Sequence, residues 1–192
     1  MELILVRHAR AFERDSAAWP DDSRRPLTAE GRSQFVRLAK RLRRLCPKVG
    51  IVESSGFVRA WQTSLLLAEH ARWPRPARLE RLECGEGAGA TGGADGTEDA
   101  RIAALVRTVG SMRGIGRAAW VGHEPMLSRL ASSLLAGGPD AVRIDFKKGA
   151  ALALRIDAGE GPSGDAAPRG HPRAELLWML TPGMVARMRR RN

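Results

Sequence analysis

Short apolar runs alternate along the chain with longer segments whose apolar residues recur at helical spacing. Residues 3–6 form a continuous aliphatic run, and residues 49–52 and 118–122 are strand-like apolar segments as well. Runs of this length are typical of strands that are buried on both faces of a parallel sheet. Residues 150–157 and 175–180 are predicted to complete the sheet, the last of them running antiparallel.

Helices are predicted between and after these strands. The first begins after Thr28, which we interpret as its N-cap, and the second opens near Phe57. Further helices are predicted over about residues 97–112, over residues 125–135 and from Pro182 onward. Alternation of this kind predicts an α/β fold, specifically a three-layer α/β/α sandwich with a mainly parallel central sheet. With 192 residues and 43% hydrophobic content, one domain over residues 1–192 is expected.

Basic side chains follow three of the predicted strands. Arg7 and His8 come directly after the first, Arg59 lies in the helix that follows the second, and His123 follows the third. Taken singly, polar residues after a strand are commonly just the start of a solvated loop. Because parallel strands end at the same edge of a sheet, these four side chains are predicted to converge. Arginine suits phosphate, and histidine can act as nucleophile, acid or base, so the pattern indicates phosphoryl chemistry.

The segment after the second strand has the features of an anion cradle. Residues 54–56 lead into a helix whose N-terminal amides and dipole favour a negative ligand. Arg25 lies in an earlier loop and could reach the same edge. On the second helix, Arg59, Gln62 and Thr63 are predicted to share a polar face. The opposite, core-facing stripe is predicted to consist of Val58, Trp61, Leu65 and Ala68.

Several short motifs in this order resemble the histidine phosphatase superfamily, also called phosphoglycerate-mutase-like. They are the Arg7-His8-Ala9 start and the segments at residues 25–31, 54–63 and 121–125, followed by late segments at residues 147–150 and 177–182. The late segments resemble the small branch of SixA-type phosphohistidine phosphatases. Two departures are Ala9, where glycine is commonest, and Gly56, where that branch often has proline.

The resemblance implies a metal-independent phosphatase that needs no cofactor. His8 would attack phosphorus in line and become transiently phosphorylated, while Arg7, Arg59 and His123 would bind the phosphoryl oxygens. Two arginines beside His8 would also disfavour its protonated form. The spacing of the four histidines and two cysteines agrees, since it contains no metal-ligand motif and no CxxC. Cys46 and Cys84 are interpreted as free thiols.

A proton donor for the leaving group is harder to identify. In much of the superfamily a glutamate follows the third strand, and residues 79–83 are a candidate for that strand. Glu83 or Glu86 would then be the acid, with a solvated surface residue as the alternative. The small branch often lacks such an acid, which agrees with the lability of the P–N bond in phosphohistidine. The expected substrate is therefore phosphohistidine in a protein.

Two other functions stay open at this point. One is a phosphatase for a small phosphorylated metabolite, and the other is a non-catalytic module that binds phosphate or a phosphoprotein. No membrane segment or signal peptide is evident, so a cytoplasmic monomer is the expectation.

The net charge of +11 raises the question of nucleic-acid binding. The basic residues of the first helix look like its solvent face, and tyrosine is absent while aromatic residues make up 5% of the chain. Single-strand binders interleave aromatics with their charges, so no specific nucleic-acid partner is expected. The basic field could instead attract an acidic phosphoprotein. The GxGxxG spacing of Gly87, Gly89 and Gly92 precedes no clear helix, so a dinucleotide site is not expected.

Overall fold

A computed structural model of the chain describes residues 1–83, 97–157 and 172–188. Its six strands are β1 Glu2–Arg7, β2 Ile51–Ser54, β3 Ala77–Arg78, β4 Arg117–Gly122, β5 Ala151–Asp157 and β6 Arg173–Leu180. Its five α-helices are α1 Ala29–Leu45, α2 Val58–Leu66, α3 Glu98–Ser111, α4 Met126–Ala136 and α5 Pro182–Met188. Short 3₁₀ helices span Asp22–Arg24 and Glu80–Leu82, and a π-helical turn, Leu67–Ala71, extends α2.

The strands form one sheet in the order β3-β2-β4-β1-β5-β6. Strands β3, β2, β4 and β1 are parallel to one another, so β1, β2 and β4 end at the same edge of the sheet. Strand β5 is antiparallel to both β1 and β6. The last strand thus pairs antiparallel with its neighbour β5, as predicted. The reversed strand is β5, and β6 again follows the direction of β1.

Helices cover both faces of the sheet, which confirms the three-layer α/β/α fold. On one face α1, α2 and α5 pack over a core that includes Phe35, Leu67 and Val185. On the other face α3 and α4 pack over a core that includes Leu105 and Leu130. The four inner residues of β1 are fully buried, as their continuous apolar run predicts.

The start of helix α1 agrees with the N-cap predicted from the sequence. Thr28 caps α1, because its Oγ1 accepts a hydrogen bond of 3.0 Å from the amide of Gly31. Gly31 lies against the loop that follows β1, and a Cβ there would lie 2.0 Å from the carbonyl oxygen of Arg10. Helix α1 can pack this closely on the loop only because residue 31 has no side chain.

Two predictions about local structure are wrong. Residues 79–83 do not form a strand, since β3 is the two-residue Ala77–Arg78 and a 3₁₀ turn follows it. The core face of α2 is also different, because Leu65 is 41% exposed whereas Arg59 and Thr63 are buried. Most of the buried residues of α2 are small or polar, and their hydroxyls bond to nearby carbonyls, such as Thr63 Oγ1 to the carbonyl of Arg59 at 2.7 Å. A search for apolar stripes misses such a face.

The remaining expectations concern the cysteines, the glycine-rich spacing and membrane segments. Cys46 is a buried free thiol, and burial raises its pKa to about 11. Cys84, Glu86 and the three glycines of the GxGxxG spacing lie outside the described residues. Within the described ranges, no helix has the length and apolar character needed to cross a bilayer.

Candidate active site

His8 lies just past the end of β1, where its backbone is held from three directions. Its amide donates to the carbonyl of Gly122 at 3.0 Å, and its carbonyl accepts from the amide of Gly149 at 2.9 Å. The amide of the next residue, Ala9, donates to the buried hydroxyl of Thr63 at 3.0 Å. These contacts join β1, β4, α2 and the loop before β5, so the position of His8 is set by the whole sheet edge.

The His8 ring is fixed in one tautomer. Its Nδ1 lies 2.7 Å from the carbonyl oxygen of Ala9, which can only accept, so Nδ1 carries the proton and donates it. Burial, opposed by this hydrogen bond and reinforced by the charges of Arg59 and Arg7, lowers the pKa of His8 to about 3. The ring is therefore neutral near pH 7, and its Nε2 presents a lone pair suited to attack phosphorus.

Arg59 is buried in the first turn of α2 and bound to the 3₁₀ turn before α1. Its Nη1 donates to the carbonyl of Asp22 at 2.7 Å, and its Nη2 lies 3.0 Å from Oδ2 of the same residue. The guanidinium also lies 5.1 Å from the ring centre of Phe57. Arg25 donates from Nε to the other carboxylate oxygen of Asp22 at 2.8 Å. Asp22 therefore holds two guanidiniums, and both of their charges act on His8.

Arg7 approaches from the β1 side of the site. Its Nη1 donates to the carbonyl of Phe146 at 2.7 Å, while its buried Nε has no hydrogen-bond partner among the described residues. Burial lowers the pKa of Arg7, and the nearby carboxyls of Glu124 and Asp145 oppose that effect. Arginine stays charged through such shifts, so Arg7 contributes a full positive charge beside His8.

His123 lies at the junction between β4 and the loop before α4. Its ring centre is 5.1 Å from that of His8 and 5.1 Å from that of Phe57. Its Nε2 lies 2.9 Å from the Oγ of Ser55, and its Nδ1 is buried without a partner among the described residues. Burial, together with the neighbouring His8 ring and the charge of Arg59, holds the pKa of His123 well below its usual value.

The structure thus brings together the four side chains that the sequence predicts to converge. Two neutral imidazoles lie among the guanidiniums of Arg7, Arg25 and Arg59, which come from three separate segments. Such a site suits a phosphoryl group, whose charge is spread over its oxygens in the transition state. Among residues 1–83, 97–157 and 172–188, no cluster of three or more His, Cys, Asp or Glu could hold a metal ion.

Glu83 is buried next to the site, where its carboxylate accepts hydrogen bonds from neighbouring residues. Its Oε1 accepts from the amide of Gly56 at 3.0 Å and from Nε of Arg78 at 2.7 Å. Its Oε2 accepts from Nη2 of Arg78 at 3.2 Å. In all three contacts the carboxylate of Glu83 is the acceptor. The arrangement supports a structural role, in which Glu83 anchors the loop after β2.

Three polar residues of the site have no individual role assigned from the sequence. Asp22 holds Arg59 and Arg25, and Ser55 contacts His123, but neither has a local signal because each partner is distant in sequence. Glu124 follows His123 and caps α4, accepting from the amide of Ser128 at 3.0 Å. Burial raises the pKa of its carboxyl.

Comparison with known proteins agrees with this architecture. The family profile described as the histidine phosphatase superfamily (branch 1) matches residues 3–92. An uncharacterized protein of Picosynechococcus sp. (strain ATCC 27264 / PCC 7002 / PR-6) is 30% identical over 182 residues, which cover 95% of this chain and 97% of that protein.

Solved structures share the fold at lower identity. The protein histidine phosphatase SixA, complexed with tungstate, superposes with a TM-score of 0.70 at 21% identity, over 95% of this chain and 98% of that one. A mycobacterial glucosyl-3-phosphoglycerate phosphatase with inorganic phosphate gives a TM-score of 0.64 at 16% identity, over 94% of this chain and 98% of that one. With an Arg-His pair after β1, a second imidazole after β4 and this sheet order, the chain belongs to the histidine phosphatase superfamily and is SixA-like in structure.

Proposed function

We propose that the protein is a metal-independent phosphatase that hydrolyses its substrate through a phosphohistidine intermediate on His8. The observation that carries this proposal is the state of the His8 ring. Its Nδ1 donates to the carbonyl of Ala9 at 2.7 Å, which leaves the Nε2 lone pair directed away from the protein's own acceptor. A neutral, oriented imidazole among guanidiniums is what in-line attack on a phosphorus atom requires.

The remaining side chains would stabilise the transferring group. Arg7, Arg59 and His123 would donate hydrogen bonds to the equatorial oxygens while the His8 Nε2–P bond forms and the bond to the leaving group breaks. Water would then attack the phosphorus of the phosphoenzyme, releasing inorganic phosphate and restoring the His8 lone pair. The fixed arginines cost little reorganisation during either displacement, which is the source of their effect on rate.

A phosphohistidine residue of a protein is the proposed substrate. The support comes from Glu83, whose carboxylate accepts hydrogen bonds from Gly56 and Arg78 and is engaged in anchoring the loop after β2. A P–N bond to imidazole is labile and needs less acid assistance than a bond to an alkoxide. The fold shared with the SixA protein histidine phosphatase agrees with this substrate class.

A phosphorylated small molecule is the second candidate. The fold is equally shared with a glucosyl-3-phosphoglycerate phosphatase. Glu124 favours this alternative, because burial raises the pKa of its carboxyl and a protonated carboxyl could assist an alkoxide leaving group.

Turnover on matched substrates separates the candidates. A phosphohistidine-bearing protein, a phosphorylated sugar and a phosphoserine peptide are compared at equal concentration, with His8→Ala as the control. We expect the highest kcat/KM on phosphohistidine and none with His8→Ala. Preference for the sugar would support the metabolite phosphatase. Binding of all three without turnover would instead indicate a phosphate-binding module.

A further inference from the structure

The position of the proton on His123 follows from the hydrogen bonds of Ser55. Ser55 is fully buried, and among the described residues its Oγ has two hydrogen-bonding neighbours, the amide of Phe57 at 3.2 Å and Nε2 of His123 at 2.9 Å. The amide can only donate, so it uses one lone pair of the hydroxyl. A buried hydroxyl proton needs an acceptor, and of these two neighbours only the imidazole nitrogen can accept.

A neutral His123 that accepts at Nε2 must carry its proton on Nδ1. That Nδ1 is buried and has no hydrogen-bond partner among the described residues. Leaving a buried donor without an acceptor is unfavourable, so such a group in a folded protein calls for an explanation. Its ring lies beside His8, with ring centres 5.1 Å apart, at the place where the phosphoryl group would bind.

We propose that Ser55 is a positioning residue that fixes His123 in the Nδ1–H tautomer, so that this N–H is directed to an oxygen of the phosphoryl group on or near His8. The role rests on the proposed function, because it assigns a task within that site. The loop that carries Ser55 is itself anchored, since the amide of Gly56 donates to Glu83 at 3.0 Å and the amide of Ser55 donates to Val121 at 2.9 Å. The hydroxyl is thus held at a constant position relative to β4.

Ser54 provides a matched control. It is also fully buried and lies in the same segment, but its Oγ donates to the carbonyl of Ser55 at 3.0 Å, and the structure gives it no bond to His123. Ser54→Ala and Ser55→Ala remove the same atom from adjacent buried positions. A general effect on folding would therefore be similar in both variants, whereas a tautomer effect would be confined to one.

The first measurement does not depend on turnover. Long-range ¹H–¹⁵N NMR of the histidine rings identifies the protonated nitrogen of His123 in the wild type and both variants, with His123→Gln used for assignment. We expect the Nδ1–H form in the wild type and in Ser54→Ala, and a shift towards Nε2–H or an exchanging mixture in Ser55→Ala. Tungstate affinity, measured by calorimetry, is expected to fall in Ser55→Ala more than in Ser54→Ala.

The second measurement is steady-state turnover of p-nitrophenyl phosphate. Ser55→Ala is expected to lower kcat by about tenfold or more, since removing a full oxyanion donor costs roughly 10²–10³-fold, with a smaller change in KM. A wild type with Nε2 protonated, or equal losses in the two serine variants, would overturn the proposal. A wild type that keeps the Nδ1–H tautomer and Ser55-dependent tungstate binding but turns over nothing would refute hydrolysis while supporting the role of Ser55.

Discussion

Asp22 and Arg59, 37 positions apart in sequence, form a two-point contact that fixes the direction of a buried guanidinium. The backbone carbonyl of Asp22 accepts from Nη1 at 2.7 Å, and its carboxylate lies 3.0 Å from Nη2. Although burial opposes it, the hydrogen bond from Arg25 and the charge of Arg59 hold the pKa of Asp22 below its usual value. The turn before α1 thus acts as part of the site.

Neutralising Asp22 is expected to impair activity more than folding. In Asp22→Asn the charge that orients Arg59 and Arg25 is lost, and a misplaced group of this kind can cost about tenfold to hundredfold in kcat/KM. Asp21→Asn is the control, because Asp21 caps the same turn through the amide of Ser23 and pairs with the exposed Arg24. Equal kinetics for Asp22→Asn and Asp21→Asn would contradict the orienting role.

The low pKa of His8 predicts how stability depends on pH. The unfolded chain protonates His8 near pH 6.5, whereas the folded protein does so only at about 3. Between these values the unfolded state binds more protons, so the free energy of unfolding falls as pH decreases, by at most about 1.4 kcal/mol per pH unit for one group. Urea denaturation from pH 7.5 to 4 would show this slope, and His8→Asn should reduce it. A slope unchanged in His8→Asn would show that His8 protonates equally well in the folded state.

The same shift predicts the pH dependence of the reaction. Because the His8 imidazole stays neutral at pH values well below 6.5, kcat/KM should not decrease as the pH falls through 6.5. The profile is measured with a substrate whose own phosphate ionisation is known and subtracted. If an acid limb near pH 6.5 is seen with every substrate after this correction, the nucleophile titrates as an exposed histidine does.

Substitution of Glu83 distinguishes a structural role of this residue from a role as general acid. If it only anchors the loop after β2, Glu83→Gln should lower the melting temperature and reduce kcat by a factor that is the same for p-nitrophenyl, phenyl and alkyl phosphates. A general acid would behave differently, with a loss that grows as the leaving group becomes more basic. Glu124→Gln is tested in parallel, since an amide oxygen can still cap α4.

Gly31 is predicted to be intolerant of a side chain. A Cβ there would lie 2.0 Å from the carbonyl oxygen of Arg10, so backbone must move, and Gly31→Ala should destabilise the fold by about 1–3 kcal/mol. Gly116→Ala is the control, because a Cβ at that position would have no atom within 4 Å among the described residues other than its own chain neighbours. Thermal denaturation of the two variants is compared. Equal stabilities would show that the loop between β1 and α1 can shift to accommodate the Cβ without a measurable loss of stability.

Much of this arrangement could be predicted because its causes are local or topological. A continuous apolar run identifies β1. Thr28 caps α1 by accepting a hydrogen bond from the amide of Gly31, three residues later. The convergence of Arg7, His8, Arg59 and His123 follows from the rule that parallel strands end at one edge. No feature within β5 specifies its direction, since that depends on pairing with β1 and β6 in the folded sheet.

The residues that support the site could not be predicted in the same way. Asp22 and Ser55 act on partners 37 and 68 positions away, and any exposed turn has similar polar residues. The buried face of α2 is mostly small or polar, so hydrophobic periodicity selects the wrong side. These features depend on tertiary contacts, which a single sequence does not display.

Trapping the phosphoenzyme tests the central claim most directly. The wild type is mixed with a phosphohistidine-bearing protein, quenched within milliseconds at alkaline pH, and analysed by mass spectrometry and ³¹P NMR. We predict an alkali-stable, acid-labile phosphoryl group on Nε2 of His8 that accumulates before inorganic phosphate and is absent from His8→Ala. Sustained release of phosphate with the label on another residue, or undiminished turnover in His8→Ala, would contradict the account.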